Sequence, residues 1–256
     1  VFEKNASNML VQETEWYKDW FNSPYYHLLY EDRNENEAAA FIDRLIEALK
    51  PKNDAVMLDI ACGKGRHSIQ LANKGYFVSG IDISPKSIAE ALRSASANLE
   101  FFEHDMRFPF RTNYYDYGFN FFTSFGYFDT YREHLNTIHN MALALKKNGI
   151  LVIDYLNPEY ILRNLSPYNE INKGDVRFII ERKAEENYFL KKITTHTPKL
   201  KEPLIYTEKV ANFSLDDFTS MFQANGLTIN QVFGDYELNS FQPSVSPRMI
   251  MIARKQ

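Results

Sequence analysis

The sequence predicts an α/β fold, a mostly parallel sheet with helices on both faces. Three observations carry that expectation. Strand-like apolar runs alternate with helical patterns across residues 36–157. The first of these runs enters a Gly63-x-Gly65 turn, and a helical pattern starts directly behind it. Acids stand at the ends of the next two runs, Asp82 and Asp105. In such sheets a ligand sits at the carboxyl ends of the strands, where the strand order switches direction.

Residues 1–34 are rich in aromatics and helical by pattern. Asn34 and Glu37 resemble a capping box for a helix reaching Leu49, which Pro51 stops. Strands are expected at Ala55–Ala61, Tyr76–Asp82, Leu99–His104, Tyr115–Phe122 and Ile150–Leu156. Between them fall helices at Arg66–Asn73, Pro85–Ser94 and about Arg132–Lys146, the last ended by Asn148-Gly149. The pattern then changes. Val176–Lys183, Tyr188–Thr195 and Leu204–Ala211 are extended with no helix between them, an antiparallel extension within about 158–212. Ser214 caps a helix through Ala224, and two strands follow, Thr228–Phe233 and Met249–Ala253. The expected organisation is an N-terminal helical cap, 1–35, over one main domain, 36–256, that carries the extension.

Composition narrows the function. The 256 residues are 45% hydrophobic, enough for one sizeable core. Net charge is −4, pI is about 5.9, and Lys and Arg form no long run, so nucleic acid is a poor candidate partner. No apolar stretch approaches the ~20 residues of a membrane helix. Cys62 is the single cysteine, which excludes an intrachain disulfide and fits a reducing compartment. Val1–Asn8 lacks a signal-peptide pattern, so a cytoplasmic location is expected.

The turn after the first strand suits a nucleotide-like ligand. Glycines let the backbone approach closely, and a helix N-terminus offers unpaired N–H groups. Asp82 is placed to accept hydrogen bonds from ribose hydroxyls, whether of NAD or of S-adenosylmethionine. Three features separate the two. The third small position of the dinucleotide fingerprint is Ser68, an imperfect match. Asp59, inside the first strand, can meet the cationic amino-acid end of S-adenosylmethionine and would repel a pyrophosphate. Asp105 can accept from an adenine amino group, and the next backbone N–H can donate to the ring.

Asp59-Ile60-Ala61-Cys62-Gly63-Lys64-Gly65, Gly80-Ile81-Asp82-Ile83-Ser84 and Asp105-Met106 together resemble class I S-adenosylmethionine-dependent methyltransferases. The family's usual first glycine is Ala61 here. The resemblance implies a Rossmann-like sheet of seven strands, the last antiparallel. It also implies S-adenosyl-L-methionine as cofactor, with S-adenosyl-L-homocysteine as product. The cofactor set it implies is Tyr26, Tyr30, Arg33, Asp59, Ala61, Gly63, Gly65, Asp82, Ile83, Asp105, Met106, Phe121 and Phe122. Phe121–Tyr127 looks like the segment after the fourth strand in small-molecule methyltransferases, including sugar-amine N-methyltransferases. There a His often follows the glycine; here Tyr127 follows Gly126. Tyr26, Tyr30 and Arg33 resemble a helical cap over the cofactor.

Thr123, Tyr127, Tyr236 and Arg248 are candidates for the acceptor pocket, although Asp235 and Arg248 could equally form a surface ion pair. Strand alternation turns only one of Phe121 and Phe122 toward the ligand edge. Trp16, Trp20 and Tyr25 form a lid, or else only fasten the N-terminal helices. Cys62 reads as a small filler and His67 as packing or solvent-facing. The histidines show no metal spacing, so no metal is expected. The Asn/Asp-Pro-Pro-aromatic motif of base-amine methylation is absent at Asn120–Thr123. The expected activity is methyl transfer to the N or O of a small acceptor by a monomer or homodimer. The extension would cover the site or pair two subunits. An NAD(P)-dependent oxidoreductase and a non-catalytic S-adenosylmethionine-binding protein are the alternatives.

Overall fold

The apolar runs of the alternating region show little polar alternation because the sheet they build is covered on both faces. A computed structural model describes residues 16–31 and 35–256. Three helices, α1 (Trp16–Phe21), α2 (Pro24–Leu29) and α3 (Glu35–Leu49), precede the alternating unit. That unit comprises β1 (Val56–Ile60), α4 (Arg66–Asn73), β2 (Phe77–Asp82), α5 (Pro85–Ala91), β3 (Leu99–Glu103), β4 (Tyr115–Asn120), α6 (Tyr131–Ala144) and β5 (Leu145–Leu156). Next come α7 (Pro158–Asn164), β6 (Tyr168–Lys173), β7 (Val176–Ala184), β8 (Tyr188–His196) and β9 (Leu204–Ala211). The chain closes with α8 (Leu215–Gln223), β10 (Leu227–Phe233) and β11 (Arg248–Lys255).

The main sheet has seven strands in the order β10-β11-β5-β4-β1-β2-β3. β11 runs antiparallel to both of its neighbours, and the other pairs are parallel. This is the seven-stranded sheet that the resemblance implied. Successive residues serve opposite faces. Met57, Val78 and Val152 pack with Phe41 and Leu45 of α3, Leu71 of α4 and Ile88 of α5. Leu58, Ile81, Leu151 and Ile153 pack with Ile138 and Met141 of α6 and Phe218 and Phe222 of α8. Each such side chain contributes roughly 1.5–3 kcal/mol on burial.

The second sheet is antiparallel throughout, in the order β6-β7-β8-β9. α1 and α2 lie on it, with Trp20 and Leu29 buried against Val176, Phe178, Ile180 and Ile193. Trp20 is therefore a fastener of the cap, with its indole N–H donating to Glu208 Oε1 at 2.8 Å. The capping-box residue Asn34 lies outside the described residues.

Three local expectations need correction. The sixth helix ends at Ala144, and β5 begins at once with Leu145. Asn148, with φ +63°, is not a helix stop. It lies in an irregular stretch where β4 advances from Tyr115 to Tyr117 while β5 advances from Leu145 to Ile150. β4 stops at Asn120, before the Phe pair. The extension has a fourth strand, β6, whose sequence YNEINK carries no apolar alternation because it is an edge strand. Helix α7 also went unread. It is short, yet Asn157 caps it and Pro158 opens it, the ordinary start signals.

Candidate active site

β1 sits between β4 and β2, where the strand order reverses, so the turn after β1 opens into the crevice. Ala61, Gly63 and Gly65 all have positive φ, +60°, +58° and +84°. Gly63 has nothing within 4 Å of where a Cβ would stand, leaving its face open to a ligand. Gly65 is different. It stands at the N-cap of α4, and a Cβ there would lie 2.6 Å from the Phe101 ring. Gly65 shapes the turn and is not part of the cavity wall.

Asp82 closes this turn. Its Oδ2 accepts from the Gly63 N–H and its Oδ1 from the Ser84 N–H, both at 2.8 Å. A carboxylate has about four lone-pair sites, so each oxygen keeps one for a ligand hydroxyl. Burial raises its pKa, opposed by those two N–H groups. Asp59 lies deeper, 1% exposed, with Oδ2 accepting from Ser68 Oγ at 2.6 Å. Burial pushes its pKa up to about 6, with the Ser68 hydrogen bond opposing and the nearby Asp82 charge assisting. Ser68 is thus the partner of Asp59, which explains why this position is not Gly or Ala. The Cys62 thiol is held well above its ordinary range by burial and by Asp59 and Asp82, which makes it inert.

Beyond β4 the backbone turns sharply. Phe122 and Thr123 are successive non-glycine residues in the left-handed region, φ +57° and +58°. Such residues cost about 1–3 kcal/mol each and persist only where the surroundings hold them. The holder is Asp154 of β5. Its Oδ2 accepts from the Phe122 N–H at 2.8 Å and from Tyr236 Oη at 3.0 Å, and its backbone carbonyl accepts from the Thr123 N–H at 3.0 Å. Arg248 donates to Asp154 Oδ1 at 2.7 Å and to Thr123 Oγ1 at 2.9 Å. Arg248 is therefore a half-buried clamp and not the surface partner of Asp235, whose carboxylate instead receives the Glu237 and Asn239 N–H groups. The sharp turn also defeats strand alternation, and both Phe121 and Phe122 line the cavity.

His67 is buried beside them, its ring 4.9 Å from Phe121 and stacked 5.3 Å from Phe122. Burial and the adjacent Arg66 hold its pKa well below the ordinary value, so the imidazole is neutral. Its Nε2 is buried without a hydrogen-bond partner among the described residues. His67 lines the cavity, whereas packing or a solvent-facing position was expected from sequence. Asp154 was also missed, although a lone acid in the apolar run of β5 was a signal.

These residues face one cavity of about 1340 Å³. That exceeds the roughly 300–1,000 Å³ of a pocket for one small ligand, so there is room for two reactants. Tyr26, Tyr30, Asp59, Ala61, Gly63, Asp82, Ile83, Asp105, Met106, Phe121, Phe122, Thr123, Tyr127, Tyr236 and Arg248 all line it. Arg33 lies outside the described residues. Asp105 borders the cavity with its oxygens already engaged by the Arg107 backbone N–H and guanidinium at 2.6–3.1 Å, which leaves it less spare capacity than Asp82. Tyr30 donates to Glu208 at 2.8 Å, tying the cap to the second sheet, and β8 and β9 supply the opposite wall through Lys191 and Glu208. Among the described residues no group of three or more His, Cys, Asp or Glu could hold a metal ion. No described helix is long and apolar enough to cross a membrane.

Residues 51–226 match the family model described as a methyltransferase domain. A glycine/sarcosine N-methyltransferase of Parasynechococcus marenigrum is 32% identical over 139 residues, 52% of this chain and 49% of that protein. The chain spans about half the length of the first curated relatives it matches. Among solved structures, an S-adenosylmethionine-dependent methyltransferase from Clostridium acetobutylicum superposes with a TM-score of 0.73 at 17% identity, covering 90% of this chain and 96% of that one. A sugar N-methyltransferase from a Streptoalloteichus species gives 0.71 at 18% identity, covering 100% and 98%. At these identities the two structures speak to the fold.

Proposed function

The chain belongs to the methyltransferase-domain family, and on that premise we propose that it transfers the methyl group of S-adenosyl-L-methionine to a small-molecule acceptor. The observation that carries this reading is the grouping of Asp59, Gly63 and Asp82 on one wall of a cavity large enough for two reactants. Asp82 would hold the ribose hydroxyls with its spare lone pairs. The open face at Gly63 would pass close to the methionine part, and Asp59 would face its cationic amino group. Ile83 and the Asp105-Met106 segment would border the adenosine, with Phe121 and Phe122 packing beside the cofactor. S-adenosylmethionine supplies a sulfonium-activated methyl group.

What remains for the protein is to align the acceptor and exclude water. The Asp154–Arg248 pair fixes the Phe122–Thr123 turn, which presents Thr123 and Tyr127 to the same cavity. The cap and the second sheet close the other side, which supports a covering role for the extension. Two of the similar proteins are named as N-methyltransferases, one of glycine and sarcosine and one of a sugar, which supports the nitrogen side of an N- or O-nucleophile here; another, matched over 72 residues, is named for C5 of a uracil in 23S rRNA. An NAD(P)-dependent oxidoreductase would have to bring a pyrophosphate beside the buried Asp59 and Asp82.

Calorimetry tests the reading. S-adenosylhomocysteine is expected to bind with micromolar affinity to the intact protein and not to Asp82→Ala, and an NADH fluorescence titration is expected to stay flat. Absence of S-adenosylhomocysteine binding would refute the proposal.

A further inference from the structure

The inner face of the second sheet changes character at one row. Ile180, Ile193 and Tyr206 oppose one another on β7, β8 and β9, under the cap. Two residues further along β7, the opposed set is Arg182, Lys191 and Glu208. The next row is apolar again, with Ala184, Phe189 and Val210. Side chains two apart on a strand share a face, so this charged row sits between two apolar rows, and all three of its members line the cavity.

Among the cations of the wall, one differs in its pairing. Five Lys and Arg residues line the cavity, and four have a carboxylate within 4.0 Å. Lys64 meets Glu90 at 3.0 Å, Arg66 meets Glu37 at 4.0 Å, Lys191 meets Glu208 at 3.4 Å and Arg248 meets Asp154 at 2.7 Å. Arg182 has no such partner among the described residues. Its Nη1 donates to the neutral oxygens of Asn169 Oδ1 and the Ser166 carbonyl. The acids nearest in the row and cap are already engaged: Glu208 by Trp20, Tyr30 and Lys191, and Glu31 by Lys173 at 3.1 Å. A guanidinium is a planar fork suited to two parallel hydrogen bonds to an oxyanion, and Asn169 and Ser166 fix this one at one corner while Nε and Nη2 have no acceptor among the described residues.

We propose that Arg182 is the recognition point for an oxyanion, carboxylate or phosphate, carried by the methyl acceptor. This rests on the reading of the cavity as shared by cofactor and acceptor. The anionic group anchors on the second sheet, and the nucleophile lies toward the Thr123–Tyr127 side. Arg182 acts as a specificity residue remote from the transferred methyl.

The test uses two simple probes, inorganic phosphate and acetate, titrated by calorimetry into the full chain saturated with S-adenosylhomocysteine. At least one is expected to bind, and the tighter of the two identifies the source of the oxyanion. Arg182→Gln is expected to weaken that binding at least tenfold while S-adenosylhomocysteine affinity and Tm stay unchanged. Arg182→Lys keeps the charge without the fork and is expected to fall between. Lys192→Gln, on the outer face and paired with Glu181 at 2.9 Å, is expected to bind the probe like the wild type. The proposal is overturned if neither anion binds, or if binding survives in Arg182→Gln. Failure of S-adenosylhomocysteine itself to bind the wild type would instead overturn the cofactor reading beneath it.

Discussion

Asp59→Asn separates two effects of one buried carboxylate. The folded protein raises this group from an ordinary 3.8 to about 6. At about 1.36 kcal/mol per pH unit, that rise means that ionised Asp59 costs the ligand-free fold on the order of 3 kcal/mol. The folded value lies above the unfolded one, so the fold binds more protons than the unfolded chain between the two. The cost is full above about pH 6, shrinks as pH falls, and is gone below about 3.8. Asparagine still accepts the Ser68 hydroxyl and carries no charge. Asp59→Asn is therefore expected to raise Tm by several degrees at pH 8, at roughly 2–4 °C per kcal/mol for a chain of this size, and by nothing near pH 4. Ligand binding should show the opposite sign. A cation facing Asp59 favours its ionised form, so cofactor binding at pH 6 should release about half a proton, and affinity should weaken as pH drops further. Calorimetry in two buffers of different ionisation enthalpy measures that release. Asp59→Asn should abolish it and bind more weakly. A variant that is no more stable at pH 8 and binds with wild-type affinity would refute the reasoning.

Gly65→Ala places a methyl 2.6 Å from the buried Phe101 ring at a φ of +84°, and a Tm drop with loss of cofactor binding is expected. Arg248→Met leaves the Asp154 carboxylate, 0% exposed, without its ion-pair partner, and urea unfolding should show a loss of about 3–5 kcal/mol. The double variant with Asp154→Asn should recover part of it, because the unpaired charge at position 154 is then gone.

The order of β1, α4, β2, α5 and β3 was legible because each strand is a short run dominated by apolar residues and each turn has its own signal: Gly65, the Ser84-Pro85 cap, or an acid. The Asp59–Gly63–Asp82 grouping was legible for the same reason, since a parallel sheet puts neighbouring strand ends side by side. The Phe122–Thr123 turn was not. Nothing in those two residue types favours a left-handed backbone; a carboxylate thirty-two positions away imposes it. β6 was hidden because an exposed edge strand needs no apolar alternation. The charged row of the second sheet was hidden because it depends on the register of three strands joined only by tertiary pairing, Arg182 to Lys191 to Glu208.

The central claim is that the cavity joins a methyl donor to a small acceptor. Its most direct test is transfer of labelled methyl groups from S-adenosylmethionine into a metabolite extract, with the small-molecule fraction counted after protein and nucleic acid are removed. The account predicts label in that fraction with the wild type and none with Asp82→Ala. Binding of S-adenosylhomocysteine without any label in small molecules would contradict it, and would leave a protein that holds the cofactor without using it.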